Sequence, residues 1–293
     1  MKKILITGST GFIGRSLVNN LIKDNDIIYP IIRRNLKNLK FSNKIKKKYK
    51  NYFPIFFKNN EELKDKILKI KPDIVINLAT NFIPNPIHHQ LSEIMDSNVV
   101  FPTLVLDVCC QVKVTKFINL CSIAQCYKNE IDSPQNFYAM TKIMFKNSMS
   151  YYKKKNPKIK FYNIYIGDTY GSRDVRKKIF PTLIKNYKKN KRTTILTKKL
   201  KLNIVHSEDI SHGIKILINK EIKSDDYRLK SKKNLILSNL IEKFNSKSAK
   251  KIKVLWLNKQ ISNLNNIKMK KIPNWKEKYN VENSFYKDLN GYN

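Results

Sequence analysis

The stretch Thr7-Gly8-Ser9-Thr10-Gly11-Phe12-Ile13-Gly14 constrains this chain more than any other. It follows an apolar run, Ile4-Leu5-Ile6, that reads as a buried parallel strand. It leads into apolar residues at 13, 17, 18, 21 and 22, the spacing of one helix face. Strand, glycine turn and helix in that order are the setting of a dinucleotide-binding turn. Gly8 permits the tight turn, Gly11 lets the backbone approach a pyrophosphate, and Gly14 lets the helix pack close to the strand. The helix N-terminus then offers unpaired N–H groups to the anion. The chain has only seven glycines in 293 residues, and three of them stand here at three-residue spacing, so this is not the chance pattern of a glycine-rich sequence.

With Thr7 in front, the spacing Gly-x-x-Gly-x-x-Gly resembles the TGxxGxxG fingerprint of extended short-chain dehydrogenases/reductases, the NAD-dependent epimerase/dehydratase family. The length suits one large domain, or a nucleotide-binding domain with a smaller companion. No run of about eighteen apolar residues occurs, so no membrane span is expected. The start, Met-Lys-Lys followed directly by a strand, argues against a secretory signal and for a cytoplasmic protein. Cysteines 109, 110, 121 and 126 lack metal-ligand spacing; they read as reduced thiols, and no metal is expected. The net charge of +37 is extreme. Its lysines are spread along the chain with one modest cluster at 44–50, and Asn and Ile are abundant too. That is the signature of a lysine-rich proteome rather than of a nucleic-acid partner, and none is expected. A positive surface still draws anionic nucleotide substrates inward.

Ile27–Ile32 reads as the second strand. A carboxylate at its end would bind the ribose 2′-hydroxyl of NAD. This chain has Arg33-Arg34 there and no acidic residue between Asp26 and Glu61, so NADP(H) is favoured and NAD(H) remains possible. Residues 35–50 read as a basic connection, Tyr52–Phe57 as a third strand, 60–70 as a helix, and Asp73–Thr80 as a fourth strand. The last resembles the family's D-x-V-x-x-L-A-x segment, which places Leu78, Ala79 and Thr80 against the cofactor. Residues 90–112 read as a long helix containing Asn98 and kinked at Pro102; Lys116–Leu120 is a fifth strand.

That fifth strand runs into Cys121-Ser122, and sixteen residues after Ser122 comes Tyr138-Ala139-Met140-Thr141-Lys142. Tyr138 and Lys142 share a helix face. An ammonium beside a phenol stabilises phenolate and draws its pKa toward neutrality, so the phenol can give or take a proton, while a serine hydroxyl holds the substrate oxygen. The YxxxK spacing recurs at Tyr151/Lys155 and Tyr187/Lys191, but only the Tyr138 copy opens a helix after a strand ending in Ser. Ser122, Tyr138 and Lys142 are therefore the candidate catalytic residues. Motif order over 1–155 strengthens the family resemblance. It implies cofactor contacts from Gly8, Thr10, Gly11, Phe12, Ile13, Gly14, Tyr138 and Lys142, besides Arg33 and Arg34.

Phe117–Tyr127 and Phe137–Lys142 more narrowly resemble the CDP-abequose and CDP-paratose synthase type of nucleotide-sugar reductase. Ser122-Ile123-Ala124 stands where the sugar-nucleotide dehydratases carry Thr-Asp-Glu, which argues against a dehydratase. Further on, Gly167-Asp168-Thr169-Tyr170-Gly171 resembles the family's R-x-x-N/D-x-x-G segment with Tyr165 in place of Arg; it implies that Asp168 lies near the sugar nucleotide. Arg173 and Arg176 could hold its diphosphate.

The expected fold is a Rossmann-like α/β doubly wound parallel sheet with a smaller C-terminal lobe. Residues 1–164 and about 203–220 would form the NAD(P)-binding domain; 165–202 and 221–293 would form the substrate lobe. The resemblance implies NADPH-dependent reduction of a keto group, at C4, of a nucleoside-diphosphate 6-deoxy sugar for surface polysaccharide, in a homodimer. The alternatives are an NAD-dependent nucleotide-sugar 4-epimerase, or a cofactor-sensing or RNA-binding use of the fold.

Overall fold

In the computed structural model, residues 1–33, 35–172, 174–259 and 267–290 are described. In chain order the elements are β1 Lys3–Thr7, α1 Phe12–Leu21, β2 Ile27–Pro30, α2 Leu36–Lys48, α3 Asn60–Ile70, β3 Ile74–Asn77, α4 Leu91–Met95, α5 Phe101–Gln111, β4 Lys116–Ser122, α6 Phe137–Lys155 and β5 Lys160–Ile166. There follow β6 Asp168–Tyr170, α7 Ile179–Lys188, β7 Thr193–Ile195, β8 Lys201–Leu202, β9 Ile204–His206, α8 Ser207–Asn219, β10 Asp226–Leu229, β11 Leu235–Ile236, α9 Leu237–Lys247, β12 Val254–Trp256 and α10 Val281–Asn290.

The backbone gathers into two compact units: Met1–Ile166 with Ser211–Leu229 and Ile267–Trp275, and Gly167–Ile210 with Lys230–Asn266 and Lys276–Asn293. The division differs from the expected boundaries. Residues 203–210 fall in the second unit, and 165–166, 221–229 and 267–275 fall in the first, 221–229 because β10 pairs in parallel with β5 and extends the main sheet.

The first unit is a parallel six-stranded sheet in the order β10-β5-β4-β3-β1-β2. Leu5, Val75, Phe117 and Phe161 pack with Leu63 and Ile67 of α3, Val105, Leu106 and Cys109 of α5, and Phe145 and Met149 of α6. α1 and α8 meet through a buried Ser16–Ser211 hydrogen bond of 2.8 Å. Lys116, buried at the start of β4, donates to the carbonyls of Leu217, Ile218 and Lys220 and so caps the C-terminal end of α8 with a cation.

One row of this sheet breaks the apolar pattern. Thr7, Asn77, Asn119, Asn163 and Asp226 are in-register partners on β1, β3, β4, β5 and β10. They lie two residues beyond the apolar row of Leu5, Val75, Phe117 and Phe161, and hence on the same face.

Three local expectations need correction. Residues 35–50 are not a plain connection: 36–48 form α2, capped by the Asn35 side chain, which accepts from the Asn38 N–H, and buried at Ser42 and Ile45. The lysines hide a real helix because Lys is a good helix former whose charge stays in water. The segment Tyr52–Phe57 makes two parallel bridges, Ile28↔Tyr52 and Ile31↔Ile55, instead of a continuous strand. Pro54, between them, has no N–H to donate. The 90–112 helix is divided into α4 and α5 by a π-helical turn at Asp96–Val100. Pro102, as the second residue of α5, sits just after this wide turn, where its missing N–H is tolerated.

The second unit packs Tyr170, Phe180, Leu183, Ile195, Leu237, Leu240, Phe244 and Phe285 around three two-stranded ladders, β6–β9, β7–β12 and β8–β11. His206 stacks flat on Tyr279 at 4.0 Å and its Nδ1 accepts from the Glu208 N–H. The Asp209 carboxylate accepts from the N–H groups of Lys278 and Tyr279, which makes it a structural anchor. Among the described residues, no helix is long and apolar enough to cross a membrane.

Candidate active site

The glycine turn takes the shape a pyrophosphate needs. Gly8 has φ +67°, and a Cβ there would come within 2.6 Å of the backbone at Leu78 and Ala79. At Gly14 a Cβ would stand 2.2 Å from the Gly8 carbonyl oxygen, so α1 can approach the turn only with a bare Cα. Gly11 caps α1 with extended backbone, its surface exposed, and its N–H donates to the Gly8 carbonyl at 3.0 Å. Thr10 accepts from Arg15 Nε at 2.8 Å, while Phe12 and Ile13 open α1, half-buried. These features suit a nicotinamide dinucleotide: an open, side-chain-free rim at a helix N-terminus.

Thr7 sets the neighbouring loop. Its Oγ1 accepts from the N–H groups of Leu78 at 3.2 Å and Ala79 at 3.0 Å. Leu78 is buried, Ala79 half-buried and Thr80 exposed at the end of that segment. At the end of β2, Arg33 is exposed and its Nη2 donates to Ser97 Oγ at 3.2 Å. Arg34 and Arg173 lie outside the described residues.

Tyr138 opens α6, whose cap is Asn136, accepting from the Ala139 N–H at 3.0 Å. The Phe137 N–H donates to the Pro84 carbonyl at 3.0 Å, which anchors the loop after β3 onto the helix start. The Tyr138 ring is buried and meets Phe82 edge-on at 4.9 Å. Burial pushes its phenol up to about 12; a hydrogen bond with Thr80 pulls it down and the Cys121 thiol pushes it up. Lys142, one turn on, is also buried, and burial lowers its pKa against the pull of Cys121. Cys121 interacts with both groups, and burial favours the neutral form of each, so the phenol is raised and not drawn toward neutrality as the Tyr138–Lys142 spacing alone suggests. Ser122, half-buried at the end of β4, caps the next turn: its Oγ accepts from the Ala124 N–H at 3.3 Å and its own N–H donates to Gln125 Oε1 at 2.8 Å.

Asn98 holds these pieces together, although its sequence setting shows only an amide inside an apolar helix. From the π turn its Oδ1 accepts from Thr80 Oγ1 and the Asn81 N–H, at 3.2 and 2.7 Å. Its Nδ2 donates to the Asn81 carbonyl and to Thr141 Oγ1, at 2.9 and 3.0 Å. Thr141 in turn donates to the Tyr138 carbonyl at 2.7 Å. One buried amide therefore ties the loop after β3 to the helix turn that carries Tyr138 and Lys142. The legible signal was an Asn four residues before a proline, where a helix must widen.

The expected substrate residues belong to the second unit. Asp168 is exposed and pairs with Lys178 at 3.8 Å. Arg176 turns its guanidinium onto the buried Asp174 carboxylate, with contacts of 2.8 and 2.7 Å, and onto Thr169. That pairing offsets the positive charge expected to face a diphosphate.

A parallel six-stranded sheet with a glycine cradle between its first strand and helix is the frame of an NAD(P)-dependent enzyme of the short-chain dehydrogenase/reductase class. The chain belongs to the NAD dependent epimerase/dehydratase family, whose sequence signature matches residues 4–229. It is 27% identical to a CDP-abequose synthase of Yersinia pseudotuberculosis over 221 residues, covering 75% of this chain and 74% of that protein. A CDP-abequose synthase of Salmonella muenchen is also 27% identical, over 219 residues, covering 74% and 70%. Among solved structures, the UDP-glucuronic acid 4-epimerase of Bacillus cereus, as a single tyrosine-to-phenylalanine variant in complex with UDP-4-deoxy-4-fluoro-glucuronic acid and NAD, aligns over 98% of both chains. Its TM-score is 0.84 at 17% identity, a likeness of fold.

Proposed function

We propose that this enzyme uses NADPH to reduce the keto group, at C4, of a nucleoside-diphosphate 6-deoxy sugar. The observation that carries the reading is the placement of Tyr138: it opens α6, buried edge-on against Phe82 and one helical turn before Lys142, with the loop after β3 tied to that turn through Asn98 and Thr141. A neutral phenol in that place is a proton donor, as carbonyl reduction needs. The CDP-abequose synthases among its relatives support the substrate class. Arg33 at the end of β2, with no acidic residue from 27 to 60, supports NADP(H) over NAD(H). When bound, the nicotinamide supplies the hydride. The residues do the rest: Ser122 Oγ donates to the carbonyl oxygen and orients it, Tyr138 Oη delivers the proton to that oxygen, and Lys142 holds a positive charge that stabilises the phenolate left behind. Asp168 and Arg176 are proposed to face the sugar nucleotide. Val100 and Leu104 before and on α5, with Met144 and Tyr151 on α6, are exposed apolar residues that we assign to a homodimer contact.

The test is a titration with NADPH and with NADH, in wild type and Arg33→Ala, followed by turnover of a panel of 4-keto and 4-hydroxy sugar nucleotides. The reading expects NADPH preference that weakens at least tenfold in the variant, and cofactor consumption only with 4-keto sugars. NAD retained through purification, with interconversion of 4-hydroxy epimers and no net cofactor use, would replace the reductase with an epimerase.

A further inference from the structure

The polar row across the sheet has a direction. Thr7 Oγ1 already accepts two backbone N–H groups, so its single proton must go to Asn77 Oδ1, at 2.7 Å. Asn77 Nδ2 donates to Asn119 Oδ1 at 3.0 Å, Asn119 Nδ2 to Asn163 Oδ1 at 3.0 Å, and Asn163 Nδ2 to Asp226 Oδ1 at 2.9 Å. A carboxylate can only accept, so both ends enforce the same polarity. Every amide turns its N–H toward Asp226, and the aligned dipoles favour an anion at that end.

The anion faces a cation on the catalytic helix. Asp226 Oδ2 lies 3.6 Å from Lys146 Nζ, and Lys146 also donates to both oxygens of Asp132, at 2.8 and 3.0 Å. Tyr138, Lys142 and Lys146 follow one another at four-residue intervals on α6, a phenol and two ammonium groups along one face. Left alone, the Lys146 charge would disfavour a positive charge on Lys142, one helical turn away. Two carboxylates flank it instead, and it is only 12% exposed.

The surrounding groups can be named element by element. β4 presents Cys121, β5 the Tyr165 ring at 5.9 Å from Lys146 Nζ, and β10 Asp226. The 126–136 loop presents Asp132 and Cys126, the latter within reach of the Arg228 charge. Cys121 is their common neighbour: burial takes its thiol up to about 12, while Lys142 and Lys146 pull it down and Asp226 pushes it up. Burial also works against the Lys146 charge, but Asp132 and Asp226 outweigh it and its pKa is raised.

We propose that Asp226 and Asp132 keep Lys142 protonated by neutralising Lys146, and that the directed amide row exists to hold the Asp226 carboxylate in that place. They are positioning and charge-balancing residues, removed from the reacting atoms. The inference rests on the reading of Lys142 as the charged partner of cofactor and phenol.

The test is the dissociation constant of NADPH, measured by calorimetry from pH 6 to about 10.5, which needs no substrate. Wild type should lose affinity at high pH with a limb that is absent in Lys142→Met. Asp226→Asn keeps an acceptor for Asn163 and removes only the charge, so the limb should move down by about two pH units. That is the scale for unit charges about a helical turn apart at an effective dielectric of about 20. Lys146→Met should move it up by a similar amount, and Lys146→Arg should leave it in place. Opposite shifts are the signature, since damage to packing moves both variants the same way or neither. If the wild-type limb is present and the two variants, with unchanged melting, fail to shift it in opposite directions, the inference falls while the reading of Lys142 stands. A wild type with no limb overturns both.

Discussion

Asn119→Leu tests the polar row most directly. Asn119 is fully buried, with Asn77 beside it in the row at 1% exposure and Asn163 at 9%. The replacement removes three hydrogen bonds, two along the row and one from Nδ2 to Cys121 Sγ at 3.3 Å, and leaves two orphans: Asn77 Nδ2, which loses its acceptor, and Asn163 Oδ1, which keeps only a long contact of 3.5 Å from the Cys121 thiol. Each buried polar group left without a partner costs about 1–3 kcal/mol. Burying a leucine side chain returns about 2 kcal/mol. At the middle of that range for each orphan, the net is a destabilisation of about 2 kcal/mol, or a fall in Tm of roughly 4–8 °C for a chain of this size. Asn119→Asp should be worse. A carboxylate can accept from Asn77 but cannot donate to Asn163, and it brings a charge into a buried site. The assay is urea unfolding followed by far-UV circular dichroism at pH 7. A Leu variant within about 0.5 kcal/mol of wild type, or an Asp variant more stable than the Leu variant, would refute the directed row.

Three further outcomes are expected. Tyr138→Phe keeps the buried ring against Phe82 but loses the proton donor. Turnover should fall by about 10²–10⁴-fold while the NADPH dissociation constant changes less than about threefold in a calorimetric titration. Gly14→Ala drives a Cβ to 2.2 Å from the Gly8 carbonyl oxygen and below 3 Å from the Ser9 backbone; a loss of about 3 kcal/mol and of measurable NADPH binding should follow. Burial lowers His206 from 6.5 to about 4, so the folded state binds its proton less readily than the unfolded chain. The stability this contributes is full above pH 6.5 and is lost as pH falls from there through about 4, by up to about 3 kcal/mol. Urea midpoints at pH 7 and 4.5 should therefore draw together in His206→Phe.

How far the chain could be read in advance depended on whether the information was local. The glycine turn was legible because Gly8 and Gly14 answer to contacts a few residues away, and those contacts are what the structure shows. The strand-serine and the Tyr138–Lys142 face were legible for the same reason, being set by the end of β4 and one stretch of α6. What stayed hidden was set across the sheet. No window of sequence around Asn77, Asn119 or Asn163 says that they stand side by side; each reads as one polar residue in an apolar strand, and Asp226 on β10 lies 63 residues beyond its partner Asn163. Arg176 shows another limit. Its charge suggested a diphosphate ligand, and the structure adds what the letter could not, a pairing with Asp174 two residues away in sequence. A lone basic residue in so basic a chain says little about an anion until its own carboxylates are placed. The same reasoning explains why Lys142 and Lys146, indistinguishable as letters, differ in the fold. Lys146 is flanked by two carboxylates, whereas the charged form of Lys142 is opposed by burial and favoured by Cys121, a difference that no reading of the two letters could supply.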